Sequence, residues 1–216
     1  LTEHIIADEN DLAYGLKQII QIDPDFKVIA QKAGPLPLRK IEPGFEGLSN
    51  IVVSQMVTRA SADAIWLRLK AGLVDFTPQA YMALTEADAR SFGLSGAKHA
   101  TLFRLANALV DLTLNLQELE QMDGVQARQA LQSVKGIGPW TSDVYLLFAL
   151  GHPDVFPVGD VAIQAAYANA HSKLVRPTAS ELSEIAAQWQ PWRSIAARTL
   201  WAYYGAIMNR SFAILG

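Results

Sequence analysis

Apolar residues recur at three- and four-residue spacing through nearly all of this 216-residue chain, the mark of helices that bury one face. The pattern predicts helices over 8–22, 24–32, 45–58, 59–73, 78–84, 85–92, 95–112, 115–121, 124–134, 139–150, 161–170, 180–189 and 191–209. Local chemistry marks several starts. Asp23-Pro24 reads as a cap followed by a first-turn proline, Thr85 has Asp88 three residues on, and Ser180 lies close to Glu184. Residues 34–44, GPLPLRKIEPG, form a linker rich in Pro and Gly. Alternating strand patterns are scarce, and VDF at 74–76 is too short to count. The fold class is therefore all-α, organised as one compact domain or as two lobes sharing a cleft.

The most specific local signal is LQSVKGIGPWTSDVYLLFALGHPDVFPVGD at 131–160. It reads as a helix end, a tight turn at Gly136-Ile137-Gly138, a new helix opened by Pro139, and an aspartate at the start of a third helix. The second helix begins with outward N–H groups at the positive end of its dipole, an arrangement suited to a phosphate. This is a helix-hairpin-helix pattern for holding a nucleic-acid backbone.

Composition narrows the choices. Half of the residues are hydrophobic, yet no apolar run approaches the roughly 20 residues of a membrane span. No basic segment precedes an apolar one at the N-terminus, which implies a cytoplasmic location, nucleoid-associated in a bacterium or nuclear in a eukaryote. With no Cys there can be no disulfide, thiolate metal site or iron–sulfur cluster. His4, His99, His152 and His171 lack ligand-like spacing. The formal net charge of −3 is unusual for a DNA binder, and it implies a local basic or neutral footprint on an acidic body.

From about residue 40 onward the chain resembles the HhH-GPD superfamily of base-excision DNA glycosylases. VKGIGPWTSD stands where that family has its hairpin, and FPVGDVAIQ where it has the Gly/Pro loop ending in the catalytic aspartate. FEGLSNIVVSQMVTRASADAI (45–65) is similar to its early helix pair, and GLSGAKHATLFRLA (93–106) to its GxSxxK helix. PWRSIAARTLW (191–201) is similar to the C-terminal helix of the 3-methyladenine DNA glycosylase II, or AlkA-type, branch. That branch often carries an N-terminal β-rich lobe, for which no strand pattern is read here. The resemblance implies one HhH-GPD module over 1–216, with lobes at 45–155 and at 1–44 plus 156–216, and an active-site cleft between them.

It also implies residue roles. Asp160 would be catalytic, stabilising an oxocarbenium-like sugar and orienting water, although an Asp before Val-Ala-Ile is also a good N-cap. Glycosylase/lyases carry a nucleophilic Lys in the hairpin's second helix. Here that place, 20 residues ahead of Asp160, is held by Trp140, which cannot form a Schiff base. Lys135 lies before the hairpin, outside the nucleophile's place. The implied enzyme is monofunctional.

Trp140 and Trp201 match indoles of the AlkA-type base pocket, where an aromatic face favours a cationic alkylated purine. Val144 and Ala202 stand where that branch has Tyr, with Tyr145 and Tyr203 one position later as compensating pocket residues. Trp66, Trp189 and Trp192 are read as core. Met56, after Gln55, matches the wedge that fills the vacated base stack, against a competing reading of Met56 as a core filler. Gly136, Ile137, Gly138, Trp140, Thr141 and Lys98 are candidates for contact with the DNA backbone. For Lys98 and Arg193 the sequence leaves phosphate contact and helix capping equally open. Carbonyls of Gln132, Val134 and Ile137 would hold Na⁺ or K⁺, with no other cofactor required. The implied partner of this monomer is damaged double-stranded DNA, without membrane association. The alternatives at this stage are a non-catalytic helix-hairpin-helix DNA-binding module, a glycosylase for another lesion class, and an all-α interaction protein.

Overall fold

A computed structural model describes residues 4–208, and among these the regular structure is helical. They fall into two compact units, residues 41–145 and residues 4–40 with 146–208. These boundaries replace those expected at 44 and 155. The second lies inside a helix, because the end of that helix binds its own unit: Leu146 O accepts from His152 N (3.0 Å) and Leu147 O from Arg198 (2.8 Å).

The unit at 41–145 contains α3 (Phe45–Ser54), α4 (Arg59–Ala71), α5 (Pro78–Met82), α6 (Glu86–Ser91), α7 (Gly96–Val110), a 3₁₀ turn at Glu118–Gln121, α8 (Gly124–Gln132) and the start of α9 (Pro139–Phe148). Leu48, Ile51 and Val52 of α3 and Leu102, Leu105 and Ala106 of α7 are buried, with α7 packing on α3, α5 and α6. Thr85 and Asp88 form the expected capping box of α6. The helix expected over 45–58 stops at Ser54, since Met56 takes φ +54° and no helix continues through that conformation. The segment expected as a helix over 115–121 is only the short 3₁₀ turn.

The other unit contains α1 (Glu9–Ile22), α2 (Asp25–Ala33), the last residues of α9, α10 (Val161–Ala170), α11 (Ala179–Ala186), a 3₁₀ turn at Ala187–Trp189 and α12 (Arg193–Met208). α12 is its axis, contacting α1, α2 and α10 and burying every residue from Ser194 to Trp201. A helix covered all round in this way is a core helix. The expected end of this helix at Asn209 lies outside the described residues. α11 begins earlier than expected, because Thr178 and Glu181 form its capping box in place of Ser180 and Glu184. Trp189 is fully buried against Phe26, with its indole N–H donating to Asp23 (2.9 Å), and Trp192 is buried too. Trp66 is half-buried against Phe76.

Candidate active site and hairpin

The hairpin joins α8 to α9. Gly136 takes φ +107°, and a Cβ there would lie 2.1 Å from Thr101 Oγ1 on α7. Both the backbone conformation and the space thus call for glycine. Gly138 differs, since a Cβ at that position would meet no atom within 4 Å. Ile137 is buried and Ile137 N donates to Val134 O (3.0 Å).

Polar pairs that cross the hairpin fix its shape. Gln132 Nε2 donates to Ser142 Oγ (2.9 Å), Arg128 pairs with the buried Asp143 (2.6 Å), and Arg104 of α7 donates to Lys135 O (2.8 Å). Sequence reading gives none of these roles, for the pairs depend on how the helices pack. Trp140 is half-buried at the start of α9. Thr141, expected to face the backbone of DNA, is instead buried, and its Oγ1 accepts from Gln55 Nε2 (2.5 Å).

That bond ties the hairpin to the turn between α3 and α4. Gln55, expected beside the wedge, is half-buried and spends its amide on Thr141. Met56 is 102% exposed and has a left-handed backbone. The placement removes the core reading: an unbranched apolar side chain stands entirely in water on a strained turn. Lys98 supports the same turn from α7, its Nζ donating to Val53 O (2.8 Å) in the last turn of α3. Burial pushes the Lys98 ammonium below its usual value. Its phosphate-contact reading gives way to a helix cap, favourable at the negative end of the α3 dipole. Met56→Ala is accordingly expected to change stability by less than about 0.5 kcal/mol, while weakening binding to abasic duplex more than to intact duplex. Titration of both duplexes together with thermal unfolding checks this.

In the other unit, Asp160 is the N-cap of α10, with Oδ1 accepting from Ile163 N (2.9 Å). Oδ1 also accepts from Trp201 Nε1 at 3.2 Å, and Asp160 is only 5% exposed. Capping thus also fixes a buried carboxylate, with the helix N-terminus holding Oδ1 in place. The loop leading to it is anchored at several points. Ser194 bonds both backbone groups of Val155 (3.0 Å each), Gln164 Nε2 donates to Val158 O (3.0 Å), and Asp160 N donates to Pro157 O (2.9 Å). Arg193 forms a two-pronged pair with Asp154 (2.7 and 2.9 Å), so it too holds this loop, and its phosphate-contact reading is not adopted.

Trp201 is buried and stacked on Phe148 at 5.4 Å. Tyr145 and Tyr203, expected in the base pocket, are both buried. Tyr145 has no exposed surface and accepts from Gly44 N (2.9 Å), with burial pushing its hydroxyl above the usual phenol value. Tyr203 is 2% exposed and donates to Asn169 Oδ1 (2.8 Å). Both are interior residues with satisfied hydroxyls. Among the described residues there is no group of three or more His, Cys, Asp or Glu side chains placed to hold a metal, and no helix is long and apolar enough to cross a membrane.

An all-helical chain with a clamped helix-hairpin-helix and a buried aspartate capping a later helix meets the description of one family, and comparison with known proteins agrees. Residues 50–191 match the model of the HhH-GPD superfamily base excision DNA repair protein, and the chain belongs to that superfamily. Named relatives include a DNA-3-methyladenine glycosylase from Bacillus subtilis, 27% identical over 205 residues that cover 89% of this chain and 67% of the relative. DNA-3-methyladenine glycosylase 1 of Schizosaccharomyces pombe is 30% identical over 169 residues, covering 76% of this chain and 73% of that one. The chain spans only 37% of the probable bifunctional transcriptional activator/DNA repair enzyme AlkA of Mycobacterium tuberculosis, to which it is 30% identical over 190 residues. Among solved structures, the Schizosaccharomyces pombe 3-methyladenine DNA glycosylase in complex with abasic DNA has a TM-score of 0.79 at 26% identity, over 87% of this chain and 95% of that one.

Proposed function

We propose that this chain is a monofunctional DNA glycosylase that extrudes alkylated purines, 3-methyladenine and 7-methylguanine, from duplex DNA and hydrolyses their N-glycosidic bond. The observation that carries this reading is the Asp160 carboxylate, buried and fixed through Oδ1 by a helix N-terminus and an indole N–H. As the bond between C1′ and the base nitrogen breaks, its electron pair leaves with the cationic base, which departs neutral. The sugar is left oxocarbenium-like. A rigid carboxylate stabilises that charge and orients a water whose oxygen bonds C1′ and whose proton is lost toward Asp160. The products are free base and an abasic site.

Named relatives and a neighbour bound to abasic DNA support the alkylbase class and the DNA partner. Trp140 supports the monofunctional subtype, since the lyase branch needs an amine where this chain has an indole. The same ring presents a π face that favours a positively charged base over its neutral parent. Met56 is the wedge, because extruding a base leaves a gap that an apolar side chain fills. A non-catalytic DNA-binding module would need the cap but not the charge, and Asn would serve it as well. Release of free methylated base from alkylated duplex by the intact chain, and its loss in Asp160→Asn, tests the reading.

The hairpin also suits a monovalent cation. Gln132 ends α8, where the last carbonyls lack helical partners at the negative end of its dipole, and Val134 and Ile137 follow two and five residues later in the turn. An all-oxygen donor set of this kind matches Na⁺ or K⁺. Replacing both ions by a bulky organic cation at constant ionic strength is expected to weaken abasic-duplex binding. Equal affinity in the two buffers would remove the ion from the account.

A further inference from the structure

Arg198 is a cation in the middle of the buried stretch of α12, 6% exposed. Among the described residues, none of its contacts is with a carboxylate. Nη1 donates to Leu38 O (2.9 Å), Nη2 donates to Leu147 O (2.8 Å), and the guanidinium carbon lies 4.4 Å from the centre of the Phe148 ring. Burial lowers its pKa to about 10, so it remains charged at neutral pH. An interior charge satisfied only by carbonyls and a ring is costly for stability alone.

What it organises is the platform beneath Asp160. Arg198 and Trp201 are three residues apart on α12 and so share a face of the helix. Phe148 touches both, with the guanidinium at 4.4 Å and the Trp201 ring stacked at 5.4 Å. By holding Leu147 O, Arg198 also fixes the end of α9 from which Phe148 projects. The Trp201 indole, steadied by that ring, donates to Asp160 Oδ1.

We propose that Arg198 is a positioning residue for Asp160, acting through Phe148 and Trp201. A fork that bonds carbonyls of two separate segments, Leu38 and Arg39 on one side and Leu147 on the other, while lying against a ring is a geometry lysine cannot reproduce. The inference rests on the reading of Asp160 as the reacting carboxylate, so its test has one arm that does not need activity.

The five tryptophans of the ¹⁵N-labelled chain give five indole N–H signals, and Trp201→Phe identifies that of Trp201. Arg198→Lys is expected to move this signal and lower its protection from hydrogen exchange, while leaving the signals of Trp66 and Trp140 in place. In single-turnover assays on alkylated duplex, base release falls by roughly tenfold to a hundredfold with abasic-duplex Kd unchanged, as for a small misplacement of a reacting group. Adding Arg198→Lys to Trp201→Phe then costs little more, because both act through one contact. An unmoved Trp201 signal, or losses that simply multiply, overturns the proposal. If Arg198→Lys does not fold, Phe148→Leu keeps the guanidinium bonds but removes the ring; the same shift is expected, and its absence refutes the relay. A parent chain that releases no base defeats the glycosylase reading, while the indole signals still decide whether Arg198 positions Asp160.

Discussion

Asp160→Asn is expected to lower base release by about two orders of magnitude or more, with folding and abasic-duplex binding retained. The prediction is sharp because the two jobs of this side chain separate. An Asn Oδ1 can accept from Ile163 N and from Trp201 Nε1 as the carboxylate does, and Asn is as good an N-cap as Asp. What disappears is the negative charge proposed to stabilise the developing oxocarbenium ion. Single-turnover release and thermal unfolding, measured on the same preparations, distinguish the two. Near-normal turnover would remove Asp160 from the chemistry, while loss of folding would make it only a cap.

The hairpin glycines give the second large effect, and they split by mechanism. Gly136→Ala places a methyl group where Thr101 Oγ1 is 2.1 Å away, at φ +107°. Backbone strain alone costs about 1–3 kcal/mol, and the clash adds to it unless α7 shifts. Thermal unfolding should fall clearly. Gly138→Ala meets open space on the protein side and should leave stability nearly untouched. If the N–H groups that open α9 take a DNA phosphate, as the hairpin pattern implies, its methyl group obstructs that approach. Losing one hydrogen bond to a charged group, about 1.5–3 kcal/mol, weakens abasic-duplex binding by about tenfold or more. Unchanged binding by Gly138→Ala would remove the hairpin from the DNA interface.

The helices were legible because apolar spacing and capping residues act locally. Asp123 caps α8, Ser95 caps α7, and Thr85 with Asp88 starts α6, each within reach of its own sequence. Local signals erred where two choices were close. Thr178 takes the cap that Ser180 could have held, and the helix from Phe45 ends early because Met56 turns left-handed.

Family motifs singled out Asp160, the Gly-Ile-Gly turn and Met56, which are respectively a buried helix cap, a tight turn and an exposed side chain. The contacts that hold them were not legible. Gln55 and Thr141 are 86 residues apart, and Arg198 reaches Leu38 across 160; such pairs exist only once helices have packed. The same reason hides the partners of Tyr145, Tyr203 and Lys98 from the sequence. A phenol or an ammonium reads as a surface or pocket group until a particular backbone partner is seen to take its hydrogen bond.

The proposed chemistry is hydrolysis by water, since an indole stands where the lyase branch needs an amine. Two parallel incubations with alkylated duplex decide it, one with borohydride to trap any Schiff base and one without it, from which bases and strands are analysed. Expected are free 3-methyladenine and 7-methylguanine and strands that break only after alkali in the borohydride-free sample, and no protein–DNA adduct in the other. A covalent protein–DNA complex, or strand cleavage without alkali, would contradict that chemistry.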